Sequence, residues 1–320
     1  MKRILITGFT GFVSKYLLDH LADIEDNFTI LGLSRSQHFD EFSIKNLTIS
    51  VKKVDLNSQH QLKEILDKFR PEFIYHLASD SSVSYSWTSP IESFQNNTNI
   101  FLNLVESVRE LNLRCRILSV GSSEEYGIVD LKNIPLLEDT PLNPVSPYAV
   151  ARVSQELLSK VYVQGYGLDI VMTRSFNHIG PNQKDNFVIS SFAKQIVKYK
   201  LGLVSGIEVG NINIIRDFLD VRDVVRAYTA LVATGKEGEV YNICSNQGYS
   251  LKEVIDKMML IAGIDCEYNV NANLIRPSDN PIIVGDNAKI KQQCKWEQLI
   301  PFDKTLSDII DYWTFQLKAV

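Results

Sequence analysis

The sequence has little cysteine, little histidine and no excess of basic charge. Four cysteines (Cys115, Cys244, Cys266, Cys294) are scattered among 320 residues with no C-x-x-C pair, so neither a disulfide framework nor a zinc site is expected. The five histidines (His20, His38, His60, His76, His178) show no ligand spacing, and no metal site is expected from them. Lysine and arginine number 33 against 38 acidic residues, a net charge of −5, which lacks the basic field of a nucleic-acid binder. An anionic small molecule needs only a local arginine or two, and that class stays open. No run of about 18 apolar residues exists, so no membrane span is expected. The apolar stretch ending at Gly8 is too short for a secretory leader and lacks a cleavage pattern, so the cytoplasm is the expected compartment. Repeats, low-complexity stretches and like-charge runs are also missing. What remains is an ordinary globular composition, 45% hydrophobic and 22% charged, with enough apolar material for a core. The length suits one large domain or two coupled ones.

Short apolar runs alternate with helical patterns over the first 120 residues. Strands are expected at Ile4–Ile6, Thr29–Leu33, Ile49–Val54, Phe73–Leu77 and Arg116–Val120. Helices are expected at Phe12–Ala22, at Gln59–Phe69 (stopped by Pro71), and where Phe101, Leu104, Val105, Val108 and Leu111 recur at helical spacing. A longer helix runs from Tyr148 to about Tyr166 with Val150, Val153, Leu157 and Val161 on one face, and Asp169–Arg174 follows as a buried strand. Continuous apolar strands separated by helices predict a parallel sheet covered on both faces, a doubly wound α/β fold. Beyond Phe176 the loops lengthen and a smaller α/β substrate-binding lobe is expected, closed by a helix at about Leu306–Gln316. The expected division is a dinucleotide-binding domain over 1–176 and a second lobe over 177–214 and 245–320. Returns to the first sheet are expected at about 215–244, near Asp217–Leu219 and Val240–Ile243.

Between the first strand and first helix lies Thr7-Gly8-Phe9-Thr10-Gly11-Phe12-Val13-Ser14. Gly8 permits a tight turn, and Gly11 lets the backbone approach a pyrophosphate resting on the helix N-terminus. A third glycine position carries Ser14, which is small enough for close packing. Read with its strand–helix setting, the loop predicts a dinucleotide site that includes Thr10, Phe12 and Val13. The second strand ends Leu33-Ser34-Arg35-Ser36, without the acid that would take an NAD ribose. Arg35 can pair with a 2′-phosphate and Ser34 can hydrogen-bond it, which favours NADP(H) over NAD(H); the alternative is a solvated surface arginine. Asp55, with Leu56, is placed to meet the adenine, or else Asp55 caps the segment that follows.

Tyr148 and Arg152 stand at i and i+4, on one helix face. Upstream, Ser119 to Gly127 ends a buried strand in a polar cluster (S-V-G-S-S-E-E-Y-G). A hydroxyl from that strand end and a phenol from the helix can converge on one carbonyl. The phenol is then a general acid toward the alkoxide, and a neighbouring cation favours its ionisation.

With these residues in place, the chain resembles the extended short-chain dehydrogenase/reductases that act on sugar nucleotides, over nearly its whole length. Among them it is most similar to GDP-6-deoxy-4-keto-D-mannose reductases. The similarity is carried by Gly121–Gly127, Ser146-Pro147-Tyr148, Ser175–Pro181 (S-F-N-H-I-G-P), Phe192–Val197 (F-A-K-Q-I-V), Arg216–Asp223 and Arg276-Pro277-Ser278. The resemblance implies a Rossmann fold and a set of roles. Ser122 falls on the substrate-polarising hydroxyl and Tyr148 on the catalytic acid/base. Arg152 falls where the family has a lysine that binds the nicotinamide ribose. This is a departure, because a guanidinium is bulkier and planar. Glu124 falls where related 4,6-dehydratases carry their base, although the reductases have glutamate there too. Leu77, Ala78, Ser79 and Asn97 match the lining of the cofactor site. Ser81, Ser82 and Ser123 match hexose contacts, and Asn177, Arg216 and Arg276 match diphosphate contacts. The base is expected near Phe187, Val188 and Lys194.

The activity so implied is NAD(P)H-dependent reduction at C4 of a nucleotide-linked 4-keto-6-deoxyhexose, with GDP-4-keto-6-deoxy-D-mannose giving GDP-D-rhamnose for deoxysugar and lipopolysaccharide synthesis. Other chemistries on the same scaffold are a sugar-nucleotide 4,6-dehydratase, an epimerase, or a reductase of a CDP- or dTDP-linked sugar. A further alternative is a dinucleotide-binding protein in which Arg152 marks lost catalysis. A homodimer is implied, paired through the helix after Asn97 and the helix bearing Tyr148.

Overall fold

The structure is a computed structural model describing residues 2–275 and 280–318. Its strands are β1 (Lys2–Thr7), β2 (Phe28–Ser34), β3 (Phe39–Ile44), β4 (Leu47–Lys53), β5 (Phe73–His76), β6 (Arg116–Ser122), β7 (Asp169–Ser175), β8 (Asn177–Ile179), β9 (Ile207–Val209), β10 (Ile215–Asp220), β11 (Val240–Ile243), β12 (Gly248–Ser250), β13 (Tyr268–Val270) and β14 (Ile282–Ile283). The main sheet has the order β11-β7-β6-β5-β1-β2-β4-β3. Every neighbouring pair in it is parallel except β3 with β4. Alternate residues of β1 serve opposite faces. Ile4 and Ile6 enter one core with Leu17 and Leu21, and Leu5 enters the other with Leu104 and Val105. The strands are therefore apolar throughout, as a sheet covered on both sides requires.

The helices that position the site are α1 (Phe12–Ala22), α2 (Gln59–Phe69), α3 (Val83–Thr88), α4 (Pro90–Phe94), α5 (Ile100–Glu110), α6 (Pro147–Tyr166), α7 (Val188–Lys200), α8 (Val221–Thr234), α9 (Leu251–Ala262), α10 (Ala288–Cys294) and α11 (Phe302–Lys318). Local chemistry sets the ends of α6. The Ser146 side chain accepts from the Ala149 amide, Pro147 occupies the first turn, and Gly167 closes the helix at φ 67°. Tyr148 is thereby fixed in the first turn.

The sequence expectations of a return near Asp217–Leu219 require correction. β10 is not in the main sheet; it pairs with β8, β12 and β14 in a second one. The chain returns with α8, whose Val224, Tyr228 and Leu231 join the core of Ile4 and Ile6, and then with β11 on β7. A buried apolar strand reads alike in either sheet, so the sequence could not assign it. β3 was not anticipated: all six of its residues, two of them acidic, are exposed at the sheet edge. A separate core joins α7, α9 and α11 to β10 through Phe192, Ile196, Phe218, Ile255, Met258, Leu306 and Ile309. No helix among the described residues is long and apolar enough to cross a membrane.

Leu118, in the middle of β6, is fully buried in the core shared with α8. Leu118→Ala is expected to cost about 3 kcal/mol in urea unfolding; a loss below about 1 kcal/mol would contradict this packing.

Candidate active site

The strand order reverses between β1 and β5, which opens a crevice at their carboxyl ends. Thr7 and His76 face each other there, with Thr7 Oγ1 and His76 Nδ1 3.0 Å apart. The Ala78 amide donates to the same Thr7 oxygen at 3.1 Å. Burial, followed by the charge of Arg152, pushes the His76 imidazole down to about 3, so it is neutral. Thr7 Oγ1 thus ties the ends of β1 and β5 to the Ala78 amide, with the neutral His76 ring buried behind it.

The turn after Thr7 needs glycine at its first position. Gly8 has φ +67°, and a Cβ on it would lie 2.8 Å from Ala78 Cα. The Gly11 amide closes the turn onto Gly8 O at 2.9 Å, and Ser14, fully buried, donates its hydroxyl to that oxygen at 3.1 Å. Serine at the third position thus stitches helix to loop as well as fitting beside it. At the next strand tip Ser34 is buried and accepts from the Ser36 and Gln37 amides, with its Oγ 3.5 Å from Thr10 Oγ1. Arg35 is exposed beside it. Asp55 accepts from the Asn57 amide at 3.0 Å, ahead of the Ser58 cap of α2, and Leu56 is buried in the core. Phe12, at the start of α1, stacks on His178 with ring centroids 6.3 Å apart. Backbone amides, a helix N-terminus and a cationic strand tip fit the pyrophosphate and ribose of a dinucleotide.

Across the crevice, Arg152 Nε donates to Tyr148 Oη at 3.2 Å. Both residues are nearly buried, at 3% and 5% exposure. The guanidinium also donates through Nη1 to Val120 O at 3.1 Å and to Gln155 Oε1 at 2.7 Å. Ser122 ends the strand that carries Val120, and its Oγ accepts from the Glu124 amide at 3.2 Å. Through Val120 O, Arg152 thus ties the helix turn that carries the phenol to the strand that ends at Ser122.

Behind Ser122 is a buried carboxyl pair. Glu125 Oε1 accepts from the Ser122 amide at 2.7 Å. Gly121 leaves room for this, since a Cβ there would fall 2.4 Å from that oxygen. Arg174 grips Glu156 with two bonds, at 2.8 and 2.9 Å, but stands 3.9 Å from Glu125. Glu125 Oε2 accepts no hydrogen bond from the described residues. Burial first, and then the Glu156 charge, raise its pKa well above the carboxylate range. Proton uptake by the pair is thereby directed to Glu125, while Arg174 and Lys160 hold the Glu156 carboxyl below its ordinary range.

The remaining expected residues are distributed as follows. Asn97 is fully buried, and its carboxamide spans Ser93 O, Asp80 O and the Asp80 amide, clamping the loop of Ala78 and Ser79 to the helix. Leu77 is half-buried and packs against the sheet core. Ser82 caps α3 by accepting from Tyr85, Ser81 is exposed, and Ser123 is buried. Asn177 donates to Asp217 O on the neighbouring strand, next to Arg216, whose Nη1 donates to Asn280 O at 2.7 Å. Lys194, on α7, is held by Asp185 at 2.6 Å and by the face of Trp313; Val188 opens the same helix. Glu124 is half-buried, and Arg276 lies outside the described residues.

Sequence reading missed Gln155, Glu156, Arg174 and His76. All four are polar residues at interior positions. For the two on α6 the signal was a mismatch: its inward face carries Tyr148, Ala151, Arg152, Gln155, Glu156 and Ser159, whereas Val150, Leu157 and Val161 are exposed.

A profile of the family described as GDP-mannose 4,6 dehydratase matches residues 5–309. The GDP-6-deoxy-D-mannose reductase of Pseudomonas aeruginosa is 30% identical over 318 residues, 99% of each chain. The GDP-mannose 4,6 dehydratase 1 of Arabidopsis thaliana is 27% identical over 327 residues, 97% of this chain and 89% of that one. The solved structure of RMD from Pseudomonas aeruginosa complexed with NADPH superposes with a TM-score of 0.87 at 30% identity, covering 99% of this chain and 100% of that one.

Glu125 also gives a pH signature. Its folded pKa is raised, so its contribution to stability is fully present below the ordinary value of 4.5 and is lost as pH rises toward the folded value. Glu125→Gln keeps the acceptor for Ser122 and cannot ionise. Between about pH 5 and 8, the unfolding free energy of the parent in urea is expected to fall relative to that of Glu125→Gln, at no more than about 1.4 kcal/mol per pH unit. A constant difference would show that Glu125 is already ionised at the lower pH.

Proposed function

The chain belongs to the GDP-mannose 4,6-dehydratase family, and on that premise we propose that it is an NADPH-dependent reductase of GDP-4-keto-6-deoxy-D-mannose, yielding GDP-D-rhamnose. The observation that carries this reading is the 3.2 Å bond between the Tyr148 phenol and the Arg152 guanidinium beside the end of β6. Full-length similarity to a GDP-6-deoxy-D-mannose reductase supports the choice among family reactions.

Reduction of a ketone needs a hydride on carbon and a proton on oxygen; a reduced nicotinamide, when bound, supplies the first. Tyr148 is the general acid that supplies the second, its proton passing to the C4 oxygen as negative charge develops there. Ser122 donates a hydrogen bond to the same oxygen, and Arg152 stabilises the resulting phenolate. Asn177, Arg216 and Arg276 hold the diphosphate, where bidentate cations suit a buried pyrophosphate. Val188 and Lys194 lie toward the base. Gly8, Thr10, Gly11, Phe12 and Val13 form the pyrophosphate loop. Ser34 and Arg35 take the 2′-phosphate, and the strand tip without an acid favours NADPH over NADH.

The working unit is a homodimer. Val150, Leu157 and Val161 leave an apolar stripe on α6 exposed at 43%, 53% and 56%, and Ile91 is 75% exposed. An open groove of about 810 Å3 between Trp87, Ile91, Phe94, Pro144 and Val150 continues that face. A second copy of the same helices fits a surface of this size and polarity. Leu157→Glu is expected to yield a monomer in light scattering; an unchanged mass would reject the pairing.

The defining assay is oxidation of NADPH with GDP-4-keto-6-deoxymannose. Tyr148→Phe is expected to lower kcat by about 100-fold or more, and Arg35→Ala to raise KM for NADPH about tenfold without altering that for NADH. Consumption of GDP-mannose without net NADPH oxidation would identify a dehydratase instead. Failure to oxidise NADPH with any nucleotide 4-ketosugar would reject the reading.

A further inference from the structure

An arginine four residues after the catalytic tyrosine poses a problem that a lysine does not. An ammonium acts as a point charge and needs little orientation, whereas a guanidinium is planar and its donors point in fixed directions. In a buried site each misdirected N–H is an unsatisfied group, and the charge moves with the plane. Something must therefore hold the plane of Arg152 so that Nε meets Tyr148.

Gln155, one helical turn on, is placed to do so. It is 1% exposed, and its Oε1 accepts from Arg152 Nη1 at 2.7 Å. Its Nε2 donates to Ser119 Oγ at 2.9 Å and to Val120 O at 3.1 Å, which pins the carboxamide to the strand that ends in Ser122. Ser159 steadies the arrangement, its Oγ lying 3.1 Å from Ser119 Oγ and donating to Gln155 O at 2.9 Å. Val120 O accepts from both Arg152 and Gln155, so guanidinium and carboxamide share one anchor on β6.

We propose that Gln155 is a positioning residue that makes an arginine serviceable here, by orienting the Arg152 guanidinium toward the Tyr148 phenol from a fixed point on β6. Arginine and glutamine act as a unit in place of a single ammonium. The inference rests on the reductase reading for its kinetic consequence, but not for its geometry.

Gln155→Met keeps the side-chain volume and removes the acceptor and donors. In the NADPH assay, kcat is expected to fall about tenfold while both KM values stay within about twofold. With Lys at 152, the same change at 155 is expected to alter kcat by less than about twofold, because the partner it orients is gone. A residue that only filled the core would act equally in both backgrounds. The second readout needs no substrate. In protein labelled with 15N-arginine, the Arg152 Nε–H signal, identified by its loss in Arg152→Lys, is expected to exchange with water at least about tenfold faster in Gln155→Met. That of Arg174, held by Glu156, serves as the unchanged control. Equal losses of kcat in both backgrounds, or an Arg152 signal that exchanges no faster, would overturn the proposal. A parent protein that reduces no ketosugar removes the reductase reading, and the exchange measurement then decides this inference alone.

Discussion

The organising constraint of this molecule is that helix α6 turns its polar side inward. Tyr148, Arg152, Gln155, Glu156 and Ser159 are all nearly or fully buried against the sheet. Buried polar groups cost free energy unless each finds a partner, so the neighbouring strands must supply a matching set. They do: Ser119 and Val120 of β6 meet Gln155 and Arg152, and Arg174 of β7 meets Glu156. The Tyr148 phenol is held by this same network, which makes the candidate site part of the packing between helix and sheet.

Two further features follow from that choice. The first concerns charge. Arg174 neutralises Glu156 by a two-pronged bond and leaves Glu125 3.9 Å away, so burial and the Glu156 charge raise the pKa of the second carboxyl, which bonds the Ser122 amide. The Ser122 amide is thus anchored by an acid whose pKa is raised, which limits how many buried charges the core must accommodate. The second concerns shape. With its polar face spent inside, α6 presents Val150, Leu157 and Val161 outward, next to Ile91 and Phe94. Solvent alone is a poor neighbour for that stripe, and the proposed pairing with another copy would remove it from water.

Periodicity made the scaffold legible. The helices at Phe12–Ala22 and Gln59–Phe69, the parallel strands and the glycine turn are where hydrophobic spacing and Gly8 put them, because local sterics and one-sided burial decide those features. Tertiary competition decided the rest. β10 reads like any buried strand, yet it belongs to the second sheet; β3 buries nothing and so carries no pattern. For α6, spacing found the apolar stripe, but the stripe faces away from the sheet. The motif residues Ser122, Tyr148 and Arg152 could be named from the sequence. Gln155, Glu125 and Glu156 could not, since their significance lies in bonds to Arg152, Ser122 and Arg174 across three elements.

The account reduces to a ketone being reduced beside Tyr148. Its most direct measurement follows the label from NADPH deuterated at the transferring position, given to the purified protein with GDP-4-keto-6-deoxymannose. The account predicts one deuterium at C4 of the product hexose for each NADPH oxidised. Product without deuterium at C4, or a sugar changed while NADPH remains unconsumed, would contradict it.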